Sequence, residues 1–209
     1  MLDILYRDKH LVVIDKPAGL LVHRTVLDRH ETEFAVQMLR DQIGQQVSPV
    51  HRLDRGTSGV LAFALDRDSA RALSEAFATQ QVAKRYLAVV RGWPEEEGVI
   101  DHALKRQPDD AEWVDPRAEN LPQDARTRWR RLATIELPFA NDRHPTSRYA
   151  LIELHPETGR RHQIRRLQEA CVRSAGQQAL ERARLDPLGA IQVGLQDVLR
   201  PSRDHGRRG

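Results

Sequence analysis

The sequence predicts a mixed α/β domain of the α+β kind, its sheet largely antiparallel and flanked by helices. Three observations predict it. Strand-like runs are short and turn-separated, with few of the strand–helix–strand spacings that a parallel sheet requires. Two segments carry apolar residues at helical spacing beside capping residues. At 209 residues the chain is long enough for one buried core and short for two.

The elements follow in order. Residues 3–6 and 10–15 read as two strands around an Arg7-Asp8-Lys9 turn. Lys16-Pro17-Ala18-Gly19 ends the second, because proline lacks a ladder donor and glycine weakens pairing. Extended chain resumes over Leu20 to His23. Between Thr32 and Ile43, the spacing of Phe34, Met38, Leu39 and Ile43 predicts a helix, and Gly44 suits its C-cap. Leu61 to Leu65 predicts a strand. Asp66 or Asp68 caps a helix through Phe77, with Leu73 and Phe77 on one face. Gln81 to Gly92 reads as a strand around Tyr86. Residues 105–124, with Pro108, Pro116 and Pro122, read as a long surface loop. Two more strands are expected, Thr127 to Leu137 and Arg148 to Leu154, joined by the turn-rich 139–147.

Bulk properties exclude several classes. Composition is 40% hydrophobic and 30% charged, that of an ordinary globular protein. No run approaches the roughly 18 apolar residues of a membrane helix. The N-terminus shows no basic stretch followed by an apolar one, so no secretory signal is expected. The single cysteine, Cys171, has no internal disulfide partner. These readings give a cytoplasmic protein, with a monomer as the default state. Nine histidines and one cysteine show no ligand spacing, so no metal is expected. The formal charge of +3 is uneven: residues 1–165 hold equal numbers of basic and acidic groups, and the excess lies in 166–209. A nucleic-acid face therefore has to come from local arginine clusters.

The chemically densest stretch is His51-Arg52-Leu53-Asp54-Arg55-Gly56-Thr57-Ser58-Gly59. A carboxylate stands between two arginines on a glycine-bearing turn, where a ligand can reach it. Neighbouring cations favour the ionised form, and an ionised carboxylate is a competent nucleophile or base. A structural Asp–Arg pair has the same spacing, so the pattern alone leaves both readings open.

This stretch resembles the HRLDxxTSG signature of the RluA-type pseudouridine synthase family. Three further segments are similar to that family in the same order: VIDKPAGLLVH at 13–23, KRYLAVVRG at 84–92 and ETGRRHQIR at 157–165. Segments at 21–24, 27–29, 40–45 and 132–154 are most similar to its tRNA pseudouridine-65 synthase branch. The resemblance implies the pseudouridine synthase catalytic fold over residues 1–165. It implies an isomerase that needs no cofactor and acts on RNA, with tRNA the expected substrate and ribosomal RNA the alternative. By the same resemblance Asp54 is the catalytic residue, Arg52 fills the stack vacated by a flipped base, Tyr86 packs on the uracil, and Arg165 pairs with Asp54. His51 and Thr57 are expected at the substrate, Thr57 and Ser58 also fixing the turn through their hydroxyls. Lys16, Arg160, Arg161 and His162 are expected to contact phosphates. Two other classes stand beside this one: a family remnant that binds RNA without turnover, and an aspartate-dependent phosphatase. The absence of a DxD-type metal pair near Asp54 counts against the phosphatase.

The resemblance stops after Arg165. Residues 166–209 form a divergent, arginine-rich tail, expected to be partly helical over 166–185, or disordered, with 206–209 frayed. Codons exist for 167–172 and 176–179 that, read one base later, spell strings similar to the family's continuation. A shifted reading frame is thus the expected origin of the tail. The expected consequence is an incomplete sheet, lower stability and impaired activity.

Overall fold

The computed structural model describes residues 1–24, 30–105, 121–140, 144–166 and 191–194. Strands β1 (Asp3–Arg7) and β2 (Leu11–Lys16) form an antiparallel hairpin. Asp8 closes its turn by accepting from the amides of His10 at 2.7 Å and Leu11 at 2.8 Å, mimicking a backbone turn. Burial alternates along β2, with Val12 and Ile14 inside, the period of a strand with one face on a core.

Helix α1 (Ala35–Ile43) lays Ala35 and Leu39 on that core. It stops at Gly44, whose φ of 66° is left-handed and costs glycine no Cβ clash. Strand β3 (Ser48–Pro49) pairs with β4 (Thr57–Ala64), which also runs antiparallel to β2. Helix α2 (Arg67–Ala78) begins at Asp66, whose carboxylate accepts from Ser69 N at 2.8 Å.

The second half is strand-built: β5 (Arg85–Arg91), β6 (Glu97–Asp101), the short pair β7 (Leu104–Lys105) and β8 (Pro122–Gln123), β9 (Arg126–Leu137) and β10 (Ser147–Pro156). Strand β11 (Ile191–Gly194) completes the described elements. The main sheet runs β1-β2-β4-β11-β5-β10-β9-β6, with β3 beside β4. Among the described strand pairs only β11 with β4 is parallel. Gly98 of β6 faces Trp129 of β9, and a Cβ there would stand 2.9 Å from the indole. Only glycine lets β6 approach.

Two apolar clusters form the core beside the site. One gathers Val12, Ile14, Leu39, Leu61 and Phe63, the other Ala88, Val90, Ala150, Ile152 and Leu154, and Tyr86 packs against both. Strand β11 lies between β4 and β5, with Ile191 opposite Thr57 and Val193 opposite both Gly59 and Tyr86.

The mixed, largely antiparallel sheet with flanking helices is thus the observed fold. Four local expectations differ. Leu20 to His23 forms no strand, only a bridge from Leu21 to Phe34, because β1 and β4 already occupy both edges of β2. Strand β6 was not anticipated, and the loop at 105–124 has paired ends in β7 and β8; its residues 106–120 lie outside the described ones. The helix expected over 166–185 and the fraying at 206–209 also fall outside them, Arg166 excepted. Within the tail, 191–194 is a strand instead of helix or disorder, since β4 and β5 each offer it an open ladder.

Candidate active site

Asp54 is presented on a turn that its neighbours hold rigidly. Leu53 and Thr57 on either side are buried, and Thr57 N donates to Asp54 O at 3.0 Å. The carboxylate between these anchors stays 36% exposed. The Lys16–Gly19 turn braces it: Gly19 N donates to Arg55 O at 2.8 Å, and Arg55 Nε returns a bond to Gly19 O at 3.1 Å. Glu31 accepts from the Arg55 guanidinium at 2.6 Å.

Lys16 corrects one expectation. Far from lying on a phosphate-facing surface, it is fully buried, its Nζ donating to Pro17 O at 2.9 Å, Leu20 O at 2.8 Å and Arg55 O at 3.4 Å. Three carbonyls cluster where the chain doubles back, and a buried ammonium satisfies them all. Burial lowers its pKa from 10.5 to about 8, opposed by the negative charge of Asp54. It ties the two turns together beneath the carboxylate.

His51 is held within the fold. Its ring stacks on Phe77 of α2, with centroids 4.4 Å apart, and its Nε2 accepts from Ala62 N at 3.0 Å. Accepting there fixes the neutral tautomer with the proton on Nδ1. Burial, and then the nearby Lys84 ammonium, push its pKa down to about 4. This side chain braces β4 and α2. Thr57, which is buried, serves the turn.

Tyr86, at the start of β5, reaches the site from the other half of the sheet. Burial, and then the charge of Asp54, raise its pKa to about 12, so its phenol stays protonated in neutral solution. Strand β5 also fixes Lys84, whose Nζ donates to Thr158 O at 3.2 Å.

The third approach to Asp54 is the segment 157–166 that follows β10. Gln163 is buried and uses both ends of its amide. Oε1 accepts from Thr158 Oγ1 at 2.7 Å and Arg160 N at 2.8 Å, and Nε2 donates to Arg126 O at 3.1 Å and Thr127 Oγ1 at 3.0 Å. That side chain stitches the segment to the start of β9. Held so, His162 takes a left-handed φ of 55°, a conformation uncommon outside glycine that persists only where surroundings enforce it. Its Nε2 stands 3.5 Å from Asp54 Oδ1. Burial lowers its pKa; the Asp54 charge works the other way, while Arg165, Arg161 and Arg52 add to the lowering.

The structure therefore brings Asp54, Tyr86 and His162 together, with Arg52, Arg161 and Arg165 within electrostatic reach of the imidazole. Arg52 and Arg165 are exposed. His162 is one titratable group within 4 Å of Asp54. Arg160 donates from Nε to Asp124 O at 2.8 Å. Sequence reasoning saw His162 as a phosphate contact; its signal lay in the GRRHQIR string, one residue from the glutamine that fixes it. Among the described residues no three metal-ligating groups converge, and no helix is long and apolar enough to cross a membrane.

A carboxylate on a braced turn, faced by a protonated phenol and rimmed by arginines, suits a polar, aromatic, anionic substrate such as a nucleotide in RNA. The sequence profile described as RNA pseudouridylate synthase matches residues 10–170. The chain belongs to the RNA pseudouridylate synthase family, whose members are isomerases. Among proteins similar to it, tRNA pseudouridine synthase C of Vibrio vulnificus (strain CMCP6) is 52% identical over 166 residues, covering 79% of this chain and 68% of that one. The structure called human RNA Pseudouridylate Synthase Domain Containing 4 is 33% identical with a TM-score of 0.54, covering 78% of this chain and 62% of its own. Human RNA Pseudouridylate Synthase Domain Containing 1, at 22% identity and a TM-score of 0.65 over 92% of this chain and 76% of its own, shares the fold.

Proposed function

We propose that this chain converts one uridine of tRNA to pseudouridine, position 65 being the expected site, with Asp54 as the catalytic residue. The observation that carries the reading is the placement of Asp54: an accessible carboxylate beside Tyr86, in a chain 52% identical over 166 residues to a tRNA pseudouridine synthase C. The reaction breaks the bond from the ribose C1′ to N1 of uracil, turns the base, and joins C1′ to C5. The C5 proton leaves and N1 ends protonated, so nothing is oxidised and no group is added. An isomerisation of this balance needs neither cofactor nor metal.

The target base has to leave its stack, at a cost of a few kcal/mol. Arg52 offers a planar guanidinium for the vacated place, Tyr86 a ring for the uracil face, Arg165 a guanidinium for the carboxylate of Asp54, and Arg160 and Arg161 positive charge for the backbone. The chain acts in the cytoplasm as a monomer. Incubation with tRNA and with ribosomal RNA transcripts, followed by carbodiimide mapping of pseudouridine, tests the reading. One modified uridine in tRNA is expected. Modification of ribosomal RNA alone would replace the substrate, and binding without product would replace the enzyme with an RNA-binding remnant.

A further inference from the structure

We infer that His162 is a positioning residue for Asp54: a neutral imidazole that holds one carboxylate oxygen, Oδ1, and leaves Oδ2 toward the substrate. The inference rests on the proposed reaction for its kinetic test and stands on geometry. Nε2 of His162 lies 3.5 Å from Asp54 Oδ1, slightly beyond a hydrogen bond, and such contacts tighten when a substrate closes a site. The approach is built: His162 holds a left-handed φ of 55° while the next residue spends four hydrogen bonds anchoring the backbone. A histidine serving only as a phosphate contact would need no such rigid carrier and would face outward, whereas this one is 23% exposed and turned to the carboxylate.

Charge supports the neutral form. Arg161 and Arg165 from its own segment and Arg52 from the Asp54 segment all disfavour a second positive charge, with Asp54 alone opposing. Lys16 and Tyr86 face the same carboxylate from β2 and β5. A neutral ring donating Nε2–H orients the carboxylate without neutralising it. A protonated ring would pair with it as an ion and compete with the substrate.

Two experiments test this. In single-turnover pseudouridine formation at saturating tRNA, His162→Ala is expected to slow the reaction on the order of 100-fold, the effect of losing alignment at a reacting group, with tRNA affinity unchanged. His162→Gln, whose amide nitrogen can replace Nε2–H, is expected to recover most of the rate and to lose the fall in rate that wild type shows as the imidazole protonates in acid. Weakened tRNA binding with an unchanged saturated rate would overturn the inference in favour of a phosphate contact. The second experiment needs no turnover: the His162 ring is titrated by NMR in wild type and in Asp54→Asn. Removing the carboxylate charge is expected to lower the imidazole pKa further, and an unchanged value would overturn the pairing. Absence of wild-type product together with the expected NMR shift would sink the proposed reaction and leave the pairing standing.

Discussion

Gln163 offers the sharpest stability test, because one side chain carries four hydrogen bonds in a buried place. Replacing it with alanine removes its bonds to Thr158 Oγ1, Arg160 N, Arg126 O and Thr127 Oγ1, although Arg126 O still accepts from Glu157 N at 2.9 Å. The two hydroxyls can turn elsewhere, but Arg160 N cannot. At about 1 kcal/mol net per bond, with more for a buried group left unpaired, the expected loss is about 2–4 kcal/mol. In a chain of this size that lowers the melting temperature by roughly 5–15 °C. Gln163→Glu is the more telling variant: its shape is kept, but an ionised carboxylate accepts and cannot donate to Arg126 O or Thr127 Oγ1. Burial raises such a carboxyl's pKa, so its deficit is greatest at neutral pH and shrinks in acid, where the protonated acid regains a donor. Thermal melts followed by circular dichroism at pH 7.5 and pH 5 measure both effects. An alanine variant within about 0.5 kcal/mol of wild type, the range of an ordinary surface change, would refute the claim that this residue anchors the segment.

Two titrations follow from the buried bases. His51 has its pKa lowered from 6.5 to about 4, so between those values the unfolded chain binds a proton that the folded one refuses. Stability should fall as pH drops through that window, by up to about 3 kcal/mol, and His51→Gln, which keeps an acceptor without titrating there, should flatten the profile in urea melts. Lys16 has its pKa lowered from 10.5 to about 8, so its cost is full below pH 8 and is relieved as pH rises toward 10.5. Wild type should therefore gain stability over that range relative to Lys16→Met, as differential melts at pH 7.5 and 10 would show, while the methionine variant melts lower at neutral pH for want of three carbonyl partners.

What the sequence made legible was local. The Asp66 cap, the Gly44 stop and the first two strands are written in adjacent residues, and all three are found in the structure. Strand β6 escaped notice because five residues, EGVID, gain meaning only from the Trp129 face that covers Gly98. Strand β11 depends on open ladders of β4 and β5, which lie more than 100 residues earlier. The surroundings of Lys16 and His51 were hidden for a related reason. Both are polar residues beside signature motifs, and nothing nearby in sequence reveals that one is surrounded by three carbonyls and the other stacked on Phe77. The nearness of Tyr86 to Asp54 was legible through the resemblance. The closeness of His162 to Asp54 was not, since it arises from a side-chain network joining Gln163 to β9.

The most direct test of the account measures tritium released from tRNA carrying 5-tritiated uridine, since forming the bond from C1′ to C5 expels the hydrogen at C5. Wild type is expected to release label until one uridine per tRNA has reacted, while Asp54→Asn, folded and binding the same tRNA, releases none above background. Release by Asp54→Asn at a rate within about tenfold of wild type, a barrier difference of only 1.4 kcal/mol, would contradict a mechanism built on that carboxylate.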